Sequence, residues 1–99
     1  MKATKQSADG TSFHHTIVSA TINELTAVFG QPTHDNNDGQ DKVNVEWVLE
    51  TDSGYPITIY DWKEYRAIGE DELIEWHIGG HSVSITEEAK KEIEALLPM

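Results

Sequence analysis

The chain has 99 residues, enough for one compact core and too few for two. Seven Lys and Arg stand against 18 Asp and Glu, a formal net charge of −11, so the surface repels the phosphates of nucleic acid and anionic lipid rather than attracting them. There is no cysteine, which excludes disulfides and thiolate chemistry, and a hydrophobic content of 37% gives a core small enough that self-association would add to its stability.

Residues 1–12 are polar, small and unpatterned, which predicts a loose N-terminal tail ahead of one domain over residues 13–99. The opening MKATKQSADG lacks the apolar centre of a secretory signal, and no run approaches the roughly 18 apolar residues of a membrane span. A cytoplasmic protein with no membrane contact is the expectation. Phe13–Val18 reads as an additional strand. Thr21 and Glu24 then have the spacing of a capping box, in which each side chain satisfies a backbone N–H that a first helical turn leaves free. Ile22, Leu25, Val28 and Phe29 share one helical face, and Gly30 with Pro32 supplies the stop.

The stretch THDNNDGQD, Thr33 to Asp41, consists of turn formers and acceptors and predicts an exposed loop. Its aspartates lack the closing glutamate of a helix–loop–helix calcium site, so no metal is expected there. Val43–Thr51 alternates Val43, Val45 and Trp47 inward against Asn44 and Glu46 outward, Asp52-Ser53-Gly54 forms a turn, and Tyr55–Trp62 alternates again. These two runs predict a β-hairpin. Leu73–Ile78 is a third strand. The last helix starts at Ser84, with Glu87 three residues on, or is capped by Thr86; Ala89, Ile93, Leu96 and Leu97 form its buried stripe, ending at Pro98. The predicted class is α+β: an antiparallel meander of three to four strands with an N-terminal and a C-terminal helix packed against it.

Chemistry-bearing residues gather at the ends of the second and third strands: Tyr60, Trp62, Lys63, Tyr65 and Arg66, then Trp76, His77, Gly79, Gly80 and His81. Between Phe13 and Val83 the only basic residues are Lys42, Lys63 and Arg66, and two of them alternate with aromatics. Aromatic faces beside cations suit a nucleotide, which offers a π-face and phosphate acceptors; glycines let a phosphate or ribose approach backbone N–H donors. The competing reading makes Trp47, Trp62 and Trp76 core anchors and Gly79-Gly80 a bulge. His77 and His81 around a glycine pair fall short of a zinc set. Asp61, Glu64 or Glu75 beside His77 or His81 would be the acid–base candidates, but no nucleophile elbow, phosphate-binding loop or paired-carboxylate spacing accompanies them, so neither catalysis nor a cofactor is expected.

The stretches IYDWKEYR (59–66) and EWHIGGHS (75–82), with VEWVLETDSG and the helix ending in FGQPT, resemble a group of small proteins encoded by bacteriophages and related mobile elements, over roughly Phe13 to Leu97. The helix ending in Gly-x-Pro-Thr before a hairpin is also similar to the repeat unit of β-lactamase inhibitory protein, an analogy of fold only. The phage resemblance implies a counter-defence factor. One form sequesters an anionic nucleotide immune signal of the cyclic dinucleotide or cyclic ADP-ribose class as a homo-oligomer, with Trp62, Tyr65 and Trp76 stacking on bases, Lys63 and Arg66 meeting phosphates, and His77, Gly79, Gly80 and His81 contacting ribose or phosphate. The other is an acidic DNA mimic or protein-binding inhibitor of a CRISPR or restriction effector in the host, acting through Glu70, Asp71 and Glu72. The clustered rings and cations favour the nucleotide form.

Overall fold

The structure, a computed structural model, describes residues 1–98. In chain order they form β1 (Lys2–Ala3), β2 (Ser12–Ala20), α1 (Ile22–Phe29), β3 (His34–Asp35), β4 (Val45–Glu50), β5 (Pro56–Tyr60), β6 (Ile74–Gly80) and α2 (Val83–Leu96). Every strand pairing is antiparallel, in the spatial order β1-β4-β5-β6-β2, and β3 shares the outer edge of β4 with β1. The class is therefore α+β with two helices, as the sequence predicts. The sheet, however, has six strands rather than three or four, and α1 follows β2 instead of leading the sheet. Two of the additional strands, β1 and β3, are two-residue edge pieces with polar sequences, too short to carry an alternation.

The meander β4-β5-β6 forms because each strand alternates in step with its neighbour. Trp47 pairs with Ile59 and Leu49 with Ile57, so one face collects Val45, Trp47, Leu49, Ile57, Ile59, Ile74, Trp76 and Ile78, all buried. Thr51 N donates to Tyr55 O at 2.9 Å to close the β4–β5 turn, and Gly54 takes the left-handed φ of 91° that the turn requires. β2 joins the far side of β6 through a bulge between Phe13 and Ile17, where His15 has φ 68°.

α2 lies across β2, β6 and β5 on the apolar face and buries Ala89 and Ile93. It starts at Val83, capped by Ser82, whose Oγ accepts from Ile85 N at 3.3 Å; the predicted starts at Ser84 or Thr86 are too late because β6 ends only two residues before the helix. Leu96, expected in the buried stripe, is 49% exposed. α1 has the predicted capping box, with Thr21 Oγ1 accepting from Glu24 N at 3.0 Å and Thr21 N donating to Glu24 Oε1 at 2.9 Å. It delivers Leu25 to the core, and Gly30 O at its end accepts the Trp47 indole N–H at 3.0 Å.

Residues 1–12 do not form the loose tail read from their composition. The Met1 amine pairs with Asp52 and, at 2.9 Å, with Glu92; Lys2 and Ala3 pair with β4; Gln6 Nε2 donates to Gly54 O at 2.8 Å. Since β1 and β2 occupy opposite edges of the sheet, residues 4–11 must cross it. They do so as a strap over the face opposite α2, where Ala8, Asp9 and Thr11 come beside Thr58 and Gly79. Polar composition concealed this because the strap is held by hydrogen bonds rather than apolar burial.

The Thr33–Asp41 segment is likewise anchored. Asn37 Nδ2 donates to Ile68 O and Asn37 Oδ1 accepts from Ile68 N, both at 2.8 Å, so a side-chain amide imitates a strand partner for the loop that follows β5. Gly39 sits with φ +79° against Arg66, whose Cα would lie 2.7 Å from an added Cβ. Replacing Gly39 with alanine should therefore cost about 2–3 kcal/mol, from the left-handed backbone together with a backbone clash, read as a lower urea midpoint at unchanged m-value.

Candidate functional site

Strand parity decides what the gathered residues can do together. Thr58 and Tyr60 point away from the helices, and continuing the same alternation puts Trp62 with them; on β6 the outward set is Glu75, His77 and Gly79, while Trp76 and Gly80 point inward. The ten predicted site residues are thus divided by the sheet itself.

On the outward face the rings form one patch. His77 stacks on Phe13 with centroids 3.9 Å apart and lies near-parallel to Trp62 at 6.1 Å; Tyr60 meets His77 edge-on at 5.5 Å and Trp62 at 6.2 Å. Lys63 Nζ hangs 5.6 Å from the centre of the Trp62 ring, and Trp62 is 40% exposed. Beside this patch runs a groove of about 280 Å³ with Thr58 and Gly79 on its floor, Tyr60 and Trp62 along one wall, the strap along the other, and Asp9 and Glu46 contributing carboxylates.

The remaining predicted residues lie elsewhere. Trp76 is sealed in the core, its indole N–H donating to Ala20 O at 3.0 Å and its ring edge-on to Trp47 at 5.5 Å; it cannot stack on a base. Gly80 faces α2, where a Cβ would come 2.9 Å from Thr86 Cγ2, and its missing side chain serves helix packing. Gly79 and Gly80 form neither a bulge nor bare backbone: Gly79 is flanked in register by Thr58 and Phe13, and Gly80 by Ser12, so their peptide groups run in the ladder instead of toward a ligand. His81 packs its ring near Gly10, and His14 Nε2 donates to Gly80 O at 3.1 Å.

Arg66 is held by carboxylates. Both of its terminal nitrogens donate to Glu72, one at 2.7 Å, and Glu64 stands 3.5 Å away. The Arg66 guanidinium, with help from Gly69 N–H, holds the Glu72 carboxyl below its usual range. Glu72 is therefore a paired acid; Asp71 accepts from Asn23 Nδ2 at 2.7 Å and the Glu70 backbone carbonyl from Asn23 N at 3.0 Å, so of the predicted partner surface Asp71 and the Glu70 backbone brace α1 while Glu72 is tied to Arg66. Tyr65, 53% exposed, and Lys63 both adopt left-handed φ, 51° and 55°. Strain of this kind in non-glycine residues persists where surroundings over-determine it, and it concentrates at functional loops.

What holds this loop is Asp61, fully buried. Its Oδ1 accepts from Asn44 N at 2.8 Å and Val45 N at 2.9 Å, and its Oδ2 from Asn44 Nδ2 at 2.9 Å. Asp61 is committed to structure and is not an acid–base group for a ligand. Lys63 N donates to Lys42 O at 2.8 Å, completing the grip that sets the direction of Trp62.

Burial against Phe13 pushes the His77 pKa below its free value of 6.5, and the nearby Glu75 carboxylate only partly restores it. A base that holds its proton more weakly when folded contributes stability present above its free pKa and lost as pH falls through the folded value. The His77 contribution to stability should therefore shrink on acidification through its free and folded pKa values, while Glu46, whose carboxyl burial raises, acts in the opposite direction. Replacing His77 with phenylalanine should flatten that part of the stability–pH curve in urea titrations.

Among the described residues no group of three or more His, Cys, Asp or Glu is placed to hold a metal, and no helix is long and apolar enough to cross a membrane. The sequence reading missed Asp9, Phe13, Glu46 and Thr58. Parity would have found Glu46 and Thr58, which alternate outward on the hairpin already predicted; Asp9 and Phe13 come from the strap and the bulged strand, which no local pattern places. A scan against protein-family models finds no match, and neither a curated protein nor a solved structure is matched.

Proposed function

We propose that this chain is a non-catalytic binding protein that captures a protein partner through the sheet face opposite its helices, as a phage-encoded inhibitor of a host defence effector would. The observation that carries this reading is the ring patch in which exposed Trp62 joins half-buried Phe13, Tyr60 and His77 beside a groove with carboxylates, on a chain of net charge −11. Aromatic residues with an acidic rim are the composition of an interface anchor that selects partners by charge.

A nucleotide is the second reading. In its favour, Lys63 stands over Trp62 beside the groove. Against it, Arg66 is neutralised by Glu72 and Glu64, Trp76 is inaccessible, and the groove carries Asp9 and Glu46 where phosphates would go. Its volume of about 280 Å³ also falls just short of the roughly 300–1,000 Å³ of small-molecule sites, so this reading needs a homo-oligomer that joins two grooves.

Affinity capture from phage-infected host extract tests the first reading, with Trp62→Ala as the control: the proposal expects a defence protein held by the wild type and lost by the variant. Isothermal titration with cyclic dinucleotides and cyclic ADP-ribose isomers tests the second. Binding there, with no protein retained, would reverse the order of the two readings, and sedimentation velocity would then show an oligomer.

A further inference from the structure

Glu46 occupies an unusual position. It sits half-buried on the outward face of β4, opposite Tyr60 in the β4–β5 register and at the side of the groove. Among the described residues its one ion-pair partner is His34, 3.8 Å away and itself 70% exposed, which is charged only when protonated. Burial pushes the Glu46 carboxyl above its usual range, and the Glu46 charge in turn helps burial raise the Tyr60 hydroxyl. A carboxylate removed from water without a permanent cation is a costly arrangement that a cationic guest would relieve.

The other walls suit the same guest. Trp62 and Tyr60 line the groove with Asp9 from the strap, a second acidic residue, and Lys63 Nζ already lies 5.6 Å from the Trp62 ring centre, at cation–π distance. Thr58, only 4% exposed, lines the floor, and at Gly79 the absent side chain leaves the space that the Thr58 hydroxyl enters. Planar aromatic walls, a polar floor and two carboxylates are complementary to a guanidinium, which stacks on rings and donates to carboxylates in its own plane.

We infer that the groove between Trp62 and the strap receives an arginine side chain of the partner protein, with its guanidinium stacked on Trp62 and paired to Glu46 and Asp9. This rests on the protein-binding reading above and specifies its chemistry. The groove's volume of about 280 Å³ suits a single side chain better than a nucleotide, since small-molecule sites run to roughly 300–1,000 Å³. A partner that binds nucleic acid through arginines would carry such side chains on its surface.

The experiment uses the full chain and a probe independent of any partner. Titration of the ¹⁵N-labelled protein with Nα-acetyl-arginine methylamide should give saturable shifts at the Trp62 indole and at the Thr58 and Gly79 amides, while the neutral citrulline analogue gives none. Glu46→Gln, at a position that tolerates the isosteric change, should weaken the arginine response about tenfold, the effect of losing one partly buried charge pair; Trp62→Ala should abolish it. Equal responses to arginine and citrulline, no saturable response, or full binding by Glu46→Gln would each overturn the assignment. A saturable arginine response with no protein captured from extract would uphold the groove and remove the partner; a captured protein indifferent to Glu46→Gln would do the reverse.

Discussion

Replacing Asp61 with alanine should destabilise the protein by about 3 kcal/mol, a large share of the roughly 5–15 kcal/mol that holds a domain of this size together. Asp61 is fully buried and accepts three hydrogen bonds, from the Asn44 and Val45 amides and the Asn44 side chain. Truncation strands those donors away from water at about 1–3 kcal/mol for each one that finds no substitute. Asparagine at 61 can keep one oxygen on the two backbone amides but turns its NH2 toward that of Asn44. Asn44 cannot simply flip, because its Oδ1 accepts from Gly39 N at 3.1 Å. The Asp61→Asn variant should therefore lose about half as much. Urea unfolding measures both, and Trp62 fluorescence should report a loosened loop in the alanine variant before global unfolding, because Asp61 immediately precedes that tryptophan. A loss under about 1 kcal/mol in Asp61→Ala would show that the clamp does not hold the loop.

Trp76→Ala and Trp62→Ala should part company by several kcal/mol. Trp76 is fully buried, edge-on to Trp47, and bonded through its indole to Ala20 O, so its removal leaves a cavity and an unpaired carbonyl; about 4 kcal/mol is expected, a fall of roughly 20 °C in Tm. Trp76→Phe keeps most of the volume and should lose about half of that, which keeps the test readable if the alanine variant fails to fold. Trp62, 40% exposed, should cost about 1 kcal/mol or less in stability while removing partner capture and the arginine response. Thermal denaturation and the binding experiments together separate the two indoles. Comparable stability losses would mean that Trp62 is a second core anchor and not a docking surface.

This contrast marks what residue lists leave out. Tyr60, Trp62, Trp76 and His77 are close in sequence or in neighbouring strands, yet only Tyr60, Trp62 and His77 share a face. A strand sends consecutive residues to opposite faces, so Trp76 and His77 are separated by the sheet although they are neighbours in the chain. Arg66 misled differently. Its charge is visible in the sequence, but its commitment to Glu72, six residues away, depends on the turn at Gly69-Glu70-Asp71 that brings the two together.

The sequence by itself determined the elements whose signal is local. The capping box at Thr21 and Glu24, the alternation from Val45 to Leu49 and from Ile57 to Tyr60, and the stripe through Ala89 and Ile93 all express a period that a single segment satisfies through its own backbone. Only the tertiary structure decided the strap at residues 4–11, the bracing of 61–68 by Asn37, Gly39 and Asn44, and the placement of Glu46 beside Trp62. Those features are built from hydrogen bonds and close approaches between segments as many as 71 positions apart, the separation of Ala8 from Gly79 in the groove. Their energy resides in pairings that do not exist until the sheet has formed, and no window along the chain contains both partners.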